Sequence, residues 1–225
     1  MLDILTDIDT QVFLFFHNMR APFLDQFMWL FSKKLVWIPM YAAILFYLSQ
    51  NFGWRRTVIC IIAIALTITL ADQICASFIR PFCTRLRPTN PDNPLSEMVT
   101  LVNGYRSGRY GFPSCHAANT FALATIVSLI ARQQRLAVFM YLWAVVTCYS
   151  RVYLGVHYPG DLLVGAVVGS ICALLVYYAA AAMCPAGKLK AAHDTILSRI
   201  KSADTIIIVG IATIIVFSII SLCKA

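Results

Sequence analysis

Residues 58–79 read VICIIAIALTITLADQICASFI, and Asp72 is the one formally charged residue in the stretch. About twenty apolar residues are needed to cross the roughly 30 Å hydrocarbon core of a bilayer. This segment therefore reads as a membrane-crossing helix, and it sets the expectation for the rest of the chain. A second stretch, Thr205–Leu222 (TIIIVGIATIIVFSIISL), carries no formal charge at all. Across 225 residues the charged fraction is 12% and the hydrophobic fraction 60%, with a mean hydropathy of +0.76. A soluble domain has about 25% charged residues, so the composition agrees with the two segments.

Working outward, apolar runs predict six spans, at about 35–50 (or further back if 27–31 is drawn in), 54–79, 114–131, 136–152, 158–184 and 205–223. Ahead of them, residues 3–20 place Ile4, Leu5, Ile8, Val12, Phe15 and Phe16 on one side at 100° per residue. That pattern predicts an interfacial helix at the N-terminus. Asp3, Asp7 and Asp9 stand where a signal peptide would carry lysines, so no cleavable leader is expected. The expected fold is thus all-α, a polytopic membrane bundle of one domain over 1–225, without internal repeat or low-complexity tract.

Residues 81–112 break the apolar pattern. Four prolines (Pro81, Pro88, Pro91, Pro94) and three glycines (Gly104, Gly108, Gly111) exclude a continuous helix. A loop of this length is usually functional or disordered, and its charged and aromatic content (Arg85, Arg87, Tyr105, Arg106, Arg109, Tyr110) favours function, with Tyr105, Arg106, Arg109 and Tyr110 as contacts to a substrate headgroup.

The net charge of +8 comes from eighteen Lys and Arg against ten Asp and Glu. No basic run interleaved with aromatics marks a nucleic-acid surface. The excess reads as loop anchors or as ligands for an anion. The eight cysteines are scattered without metal-ligand spacing, so no metal is expected. Cys60, Cys148 and Cys172 lie in apolar runs as small hydrophobes. Cys83 and Cys115 lie near the loop, close enough in sequence context to pair, but the unpaired reading is favoured.

Three polar clusters fall at the same ends of the spans. The first is Arg80, six residues, then Arg87-Pro88; the second is Pro113-Ser114-Cys115-His116. The third is Ser150-Arg151, five residues, His157, three residues, then Asp161. Ser114 reads as an N-cap, which leaves the first N–H groups of its helix open to an anion. His157 and Asp161, four apart, share a helix face, and an aspartate on Nδ1 would leave Nε2 free to attack. Guanidinium groups at Arg80, Arg87 and Arg151 match phosphate oxygens. Taken singly, each feature also reads as a capped helix, a self-satisfied polar pair or a helix-end anchor. Asp72, inside a span, reads as a structural partner for an arginine or another polar group rather than as a catalyst.

Jointly, and in this order, the clusters resemble the signature of the type 2 phosphatidic acid phosphatase family, which shares its site with the vanadium haloperoxidases. That signature is Lys, six residues, Arg-Pro; Pro-Ser-Gly-His; and Ser-Arg, five residues, His, three residues, Asp. The motifs cover 80–161, and the helical layout extends the likeness over most of the chain. Two departures are present: Arg80 replaces the usual lysine and keeps its charge, and Cys115 replaces glycine. The resemblance implies that His157 is a nucleophile oriented by Asp161, that His116 is the acid and then the base, and that Arg80, Arg87, Ser114, Cys115 and Arg151 hold the phosphate. It implies no cofactor and a membrane lipid phosphate as substrate. Lipid A, an undecaprenyl pyrophosphate, phosphatidic acid and phosphatidylglycerol phosphate are the candidates, the first two being favoured.

Orientation is argued from the connectors. Those at 51–56, 132–135 and 185–204 hold eight Lys and Arg, and the other side holds ten. Several of the ten are implied phosphate ligands, so the basic connectors are expected in the cytoplasm, with the site on the outer face of a bacterial inner membrane. A transporter would place its charges near the midplane, an oxidative haloperoxidase would be soluble, and an inactive descendant would have lost a reacting group.

Overall fold

A computed structural model describes residues 2–183 and 196–224, and it is helical apart from a single β-bridge. The helices are α1 (Leu2–His17), α2 (Pro22–Phe31), α3 (Ile38–Asn51), α4 (Trp54–Gln73), α5 (Cys115–Ala131), α6 (Gln134–Tyr153), α7 (Pro159–Met183) and α8 (Ile196–Leu222). Four stretches are long and apolar enough to cross a membrane: Trp54–Ile79, Gln134–Tyr153, Pro159–Ala182 and Ala203–Leu222. A bent pair, Pro22–Phe31 with Lys34–Asn51, would make five, and α5 is a shorter apolar helix. Length and composition therefore mark four or five spans, where the sequence pattern suggested six. Cys184 and the linker lysines Lys188 and Lys190 lie outside the described residues.

The chain does not run straight back from the first span through Phe27–Phe31. α2 meets the following segment at 72°, because Lys33 leaves the helical region (φ −79°, ψ 125°) and Pro39 starts α3 afresh. The bend turns the Ser32 hydroxyl towards the Arg151 guanidinium, which donates to it, and sets Lys33 Nζ 4.6 Å from the centre of the Trp29 ring. α4 continues as a π-helical turn, Ile74–Ile79, before Pro81 ends it.

α5 is the axis of the bundle and packs on α4, α6 and α7. Ala117, Ala118, Ala122, Ala124 and Ile126 are fully buried, so this helix is apolar all round for protein rather than for lipid. Its approach to α7 depends on Gly165 and Gly169. An added Cβ would lie 2.4 Å from the Ser114 carbonyl oxygen and 2.0 Å from that of Ala118. Small residues four apart let helix backbones touch, as in membrane helix pairs. That contact brings the start of α5 against the start of α7. The outside of the bundle is apolar: Phe46, Ile62, Leu142, Val167, Leu175 and Ile215 are exposed, the reverse of a soluble surface.

Asp72 accepts a hydrogen bond from Asn119 Nδ2 at 2.9 Å, which agrees with the structural role expected for it. The 81–112 loop is pinned rather than loose. Leu86 bridges Tyr110, Thr89 N–H donates to Gly155 O at 3.1 Å, and Asn93 Nδ2 donates to the Tyr158 hydroxyl at 3.0 Å.

Candidate active site

Ser114 caps α5: the Ala117 N–H donates to its Oγ at 3.4 Å, while the Ser114 N–H donates to the Asp161 carbonyl at 2.9 Å. The cap ties the helix bearing His116 to the helix bearing Asp161. His157, 1% exposed, sits just before α7 with both ring nitrogens engaged. Arg87 Nη1 donates to Nε2 at 2.7 Å. A guanidinium has no acceptor, so Nε2 must offer its lone pair and Nδ1 must carry the proton. Nδ1 lies 3.3 Å from Asp161 Oδ2, a carboxylate able to accept it. Two independent partners therefore impose the tautomer that leaves Nε2 nucleophilic.

Burial holds the His157 imidazole well below its ordinary pKa, and Arg87, Arg151 and Arg80 push it further down. The Arg87 donation to Nε2 likewise favours the neutral ring. Burial, helped by Arg151 and Arg80, lowers Arg87 to about 10, which still leaves it cationic. Arg151, 2% exposed, donates from Nη2 to the Tyr105 hydroxyl at 3.3 Å. Burial raises the Tyr105 phenol, but Arg151, Ser107 and Arg87 together outweigh it and the net shift is downward. Arg80 Nη2 donates to Pro113 O at 2.9 Å and to Cys115 Sγ at 3.0 Å, so the lysine-to-arginine and glycine-to-cysteine departures meet in one contact.

Arg80, Arg87 and Arg151 each keep a buried Nε without a protein acceptor, as does Arg85 at Nη2. Leaving a buried donor unpaired costs about 1–3 kcal/mol. Arg87, Arg151 and Arg80 all act electrostatically on His157, and their unpaired donors suit a multiply charged oxyanion.

His116 faces elsewhere. It lines a cavity of about 410 Å³ that descends between α3, α4, α5 and α6 past Tyr41, Leu45, Ile61, Ile64 and Leu123. It also lines a basin of about 310 Å³ with Trp29, Lys33, Lys34, Tyr105 and Arg151. His116, Ser32 and Lys34 are common to both. A headgroup can rest in the basin while a hydrocarbon chain occupies the cavity.

The loop residues divide. Tyr105 reaches Arg151 and the basin. Arg106 donates to the Thr89 carbonyl, Arg109 pairs with Asp92 at 3.3 Å, and Tyr110 packs in the bridge to Leu86. Cys83 and Cys115 are free thiols, as expected. Sequence reasoning named Arg85 only among the functional loop residues and gave it no role at the site, although it reaches Asp161 Oδ1 at 3.3 Å, and it gave no site role to Lys34, which lines the basin. It also missed Gly111, where a Cβ would lie 3.0 Å from Asp161 Oδ2 and 3.2 Å from Arg87 Cγ. The signal for Gly111 was faint, one glycine among three in the loop.

Residues 61–183 match the PAP2 superfamily. The chain is 51% identical over 180 residues to a lipid A 4'-phosphatase of Bacteroides thetaiotaomicron, covering 80% of each protein. It is 34% identical over 182 residues to a lipid A 4'-phosphatase of Porphyromonas gingivalis, covering 78% of this chain and 74% of that one. The crystal structure of Aquifex aeolicus LpxE superposes with a TM-score of 0.57 at 28% identity, covering 75% of this chain and 94% of that one. A membrane face with a neutral histidine among arginines, joined to these likenesses, places the chain in the PAP2 superfamily as a membrane lipid phosphatase.

Proposed function

We propose that the protein removes a phosphate from the headgroup of lipid A, the 4'-phosphate being the first candidate, through a phosphohistidine intermediate. The observation that carries this reading is the fixed tautomer of His157, whose Nε2 lone pair faces the arginines while Asp161 lies on Nδ1. The substrate assignment leans on the relative that is half identical over four fifths of both chains. The cavity and basin that meet at His116 support a substrate with both chains and a polar headgroup.

In the proposed sequence the phosphate displaces Nε2 from Arg87 and binds Arg80, Arg87, Arg151, the Ser114 hydroxyl and the N–H groups at Cys115. Nε2 attacks phosphorus, the bond from phosphorus to the sugar oxygen breaks, and His116 gives that oxygen its proton. His116 then takes a proton from water, which attacks the phosphohistidine, releases inorganic phosphate and restores His157. Arginines supply the positive charge that a metal provides in many phosphatases.

In the membrane we read six spans. α5, at 17 residues and about 1.5 Å per residue, is near the lower limit for crossing, and its flanks are protein. The Lys34–Asn51 segment counts as a span, while α2 is too short. α1 lies at the interface with Ile4, Leu5, Ile8 and Phe15 exposed. The basic connectors with Arg55, Arg56, Arg132 and Arg135 face the cytoplasm, and the site opens on the outer face of a bacterial inner membrane.

The test is phosphate release in detergent, with EDTA present, from lipid A, undecaprenyl pyrophosphate, phosphatidic acid and phosphatidylglycerol phosphate, comparing wild type with His157→Ala. Release from lipid A that the variant loses supports the proposal. Release from another lipid alone replaces the substrate assignment, and equal release by the variant removes His157 from the mechanism. Silence on all four lipids would revive a transporter reading.

A further inference from the structure

The family match begins at residue 61, yet a carboxylate from far outside it reaches the support of the nucleophile. We propose that Asp9, on α1, is a positioning residue that acts through Arg85 on Asp161 and so sets the His157 ring for attack. This inference rests on His157 being the nucleophile.

Asp9 has both oxygens committed. Oδ1 accepts from the Gly160 N–H at 2.7 Å, on the first turn of α7. Oδ2 accepts from Arg85 Nη1 at 2.6 Å. The same Nη1 lies 3.3 Å from Asp161 Oδ1, and Asp161 Oδ2 serves His157 Nδ1 at 3.3 Å and the Tyr158 N–H at 3.1 Å. The Arg85 guanidinium is also stacked on Tyr158, 3.7 Å from the ring centre, and the hydroxyl of that ring is held by Asn93. Arg85 is therefore clasped from three sides.

The two distances at Nη1 carry the argument. The shorter contact is to Asp9, so Asp9 takes the larger share of the Arg85 charge and leaves Asp161 a stronger acceptor for the His157 proton. With residue 9 neutral, Arg85 closes on Asp161 and competes with His157 for it, or swings towards the phosphate. Either change weakens the hold on Nδ1 without removing Arg80, Arg87 or Arg151 from the phosphate. Turnover should fall while substrate affinity is kept.

A plainer reading is a surface ion pair that only staples α1 to the bundle. Other contacts already fasten this helix: Phe13 and His17 are fully buried, and His17 Nε2 accepts from the Thr100 N–H at 3.1 Å. Loss of the Asp9 charge therefore leaves the helix docked. Gly160 offers an independent handle. A Cβ there would lie 2.8 Å from Asp9 Oδ2 and 3.2 Å from its Cγ, so Gly160→Ala displaces the carboxylate without altering any charge.

The experiment measures kcat and KM on the lipid substrate for Asp9→Asn, Asp9→Glu, Gly160→Ala and the Asp9→Asn/Gly160→Ala double variant. Thermal unfolding in the same detergent runs beside it. Asp7→Asn, at an exposed position on the same helix, is the control. We expect kcat to fall about ten-fold, the scale for losing a partner one shell out, with KM within about two-fold of wild type. Asp9→Glu should regain part of the loss, and the double variant should be no worse than either single one, because both break one contact. Unchanged kcat per folded enzyme in Asp9→Asn, or a raised KM at constant kcat, would overturn the inference. If His157→Ala keeps full activity, the underlying mechanism has failed instead.

Discussion

The two histidines stand on different walls: His116 lines the cavity and the basin, and His157 lines neither. His157 is sealed in the polar wall, with a carboxylate on one nitrogen and a guanidinium on the other. His116 stands at the edge of an apolar cavity and a basic basin, on the rim where both meet. Nucleophilic attack needs a fixed lone pair and a fixed tautomer, whereas proton transfer to a departing lipid needs access to the place where the lipid lies. Under the proposed mechanism, the contrast implies that the phosphate is held on the His157 side and the lipid departs on the His116 side.

The largest effect that sharpens this contrast is His157→Ala, expected to lower kcat by at least about 10³-fold on every lipid. His116→Ala should cost less, about 10²-fold, and less still on an ester whose leaving group needs no proton. Equal losses for both variants on such an ester would erase the distinction between the walls. Next, Arg151→Ala should lower kcat/KM by about 10²-fold, read in the same assay. Ile64→Trp, which fills the apolar cavity, should lower kcat/KM on a long-chain lipid by roughly ten-fold, the scale of a 1–3 kcal/mol overpacking cost. It should leave a water-soluble short-chain ester nearly untouched. A like loss on both would mean that the cavity does not receive the chain.

The smallest effect is in the pH profile. Because the His157 pKa is lowered, its Nε2 stays unprotonated through neutral pH and loses its lone pair only when pH falls through that lowered value. The acid limb assigned to the nucleophile should therefore lie below about 6.5, the ordinary imidazole value. A limb at or above that value would place a different group in the role.

Much of the site was legible because its residues fall at span ends with fixed spacing. Ser114 before an apolar run announced a cap, and the spacing of four from His157 to Asp161 put them on one face. What remained hidden depends on contacts between distant segments. Asp9 and Arg85 are 76 positions apart, and the acidic α1 carried only an amphipathic signal. Gly165 and Gly169 stood in plain sight, yet nothing local says that α5 is the helix pressed against them. The 72° bend at Lys33, which turns Ser32 towards Arg151, comes from an extended residue between apolar runs, and no hydropathy pattern encodes it. α5 is only 17 residues long and is enclosed by its neighbours, so its apolar pattern reports burial against protein as well as bilayer thickness.

The most direct test of the central claim is to trap the phosphoenzyme. Enzyme mixed with lipid substrate carrying radiolabelled phosphate, quenched in base within one turnover and digested, should give one labelled peptide containing residue 157. Its label should be stable in alkali and lost in acid, and absent from His157→Ala. A His116→Ala enzyme should hold more label than wild type on an ester with a good leaving group, because hydrolysis of the intermediate is then the slow step. Label on another residue, or turnover without any labelled peptide, would contradict the account.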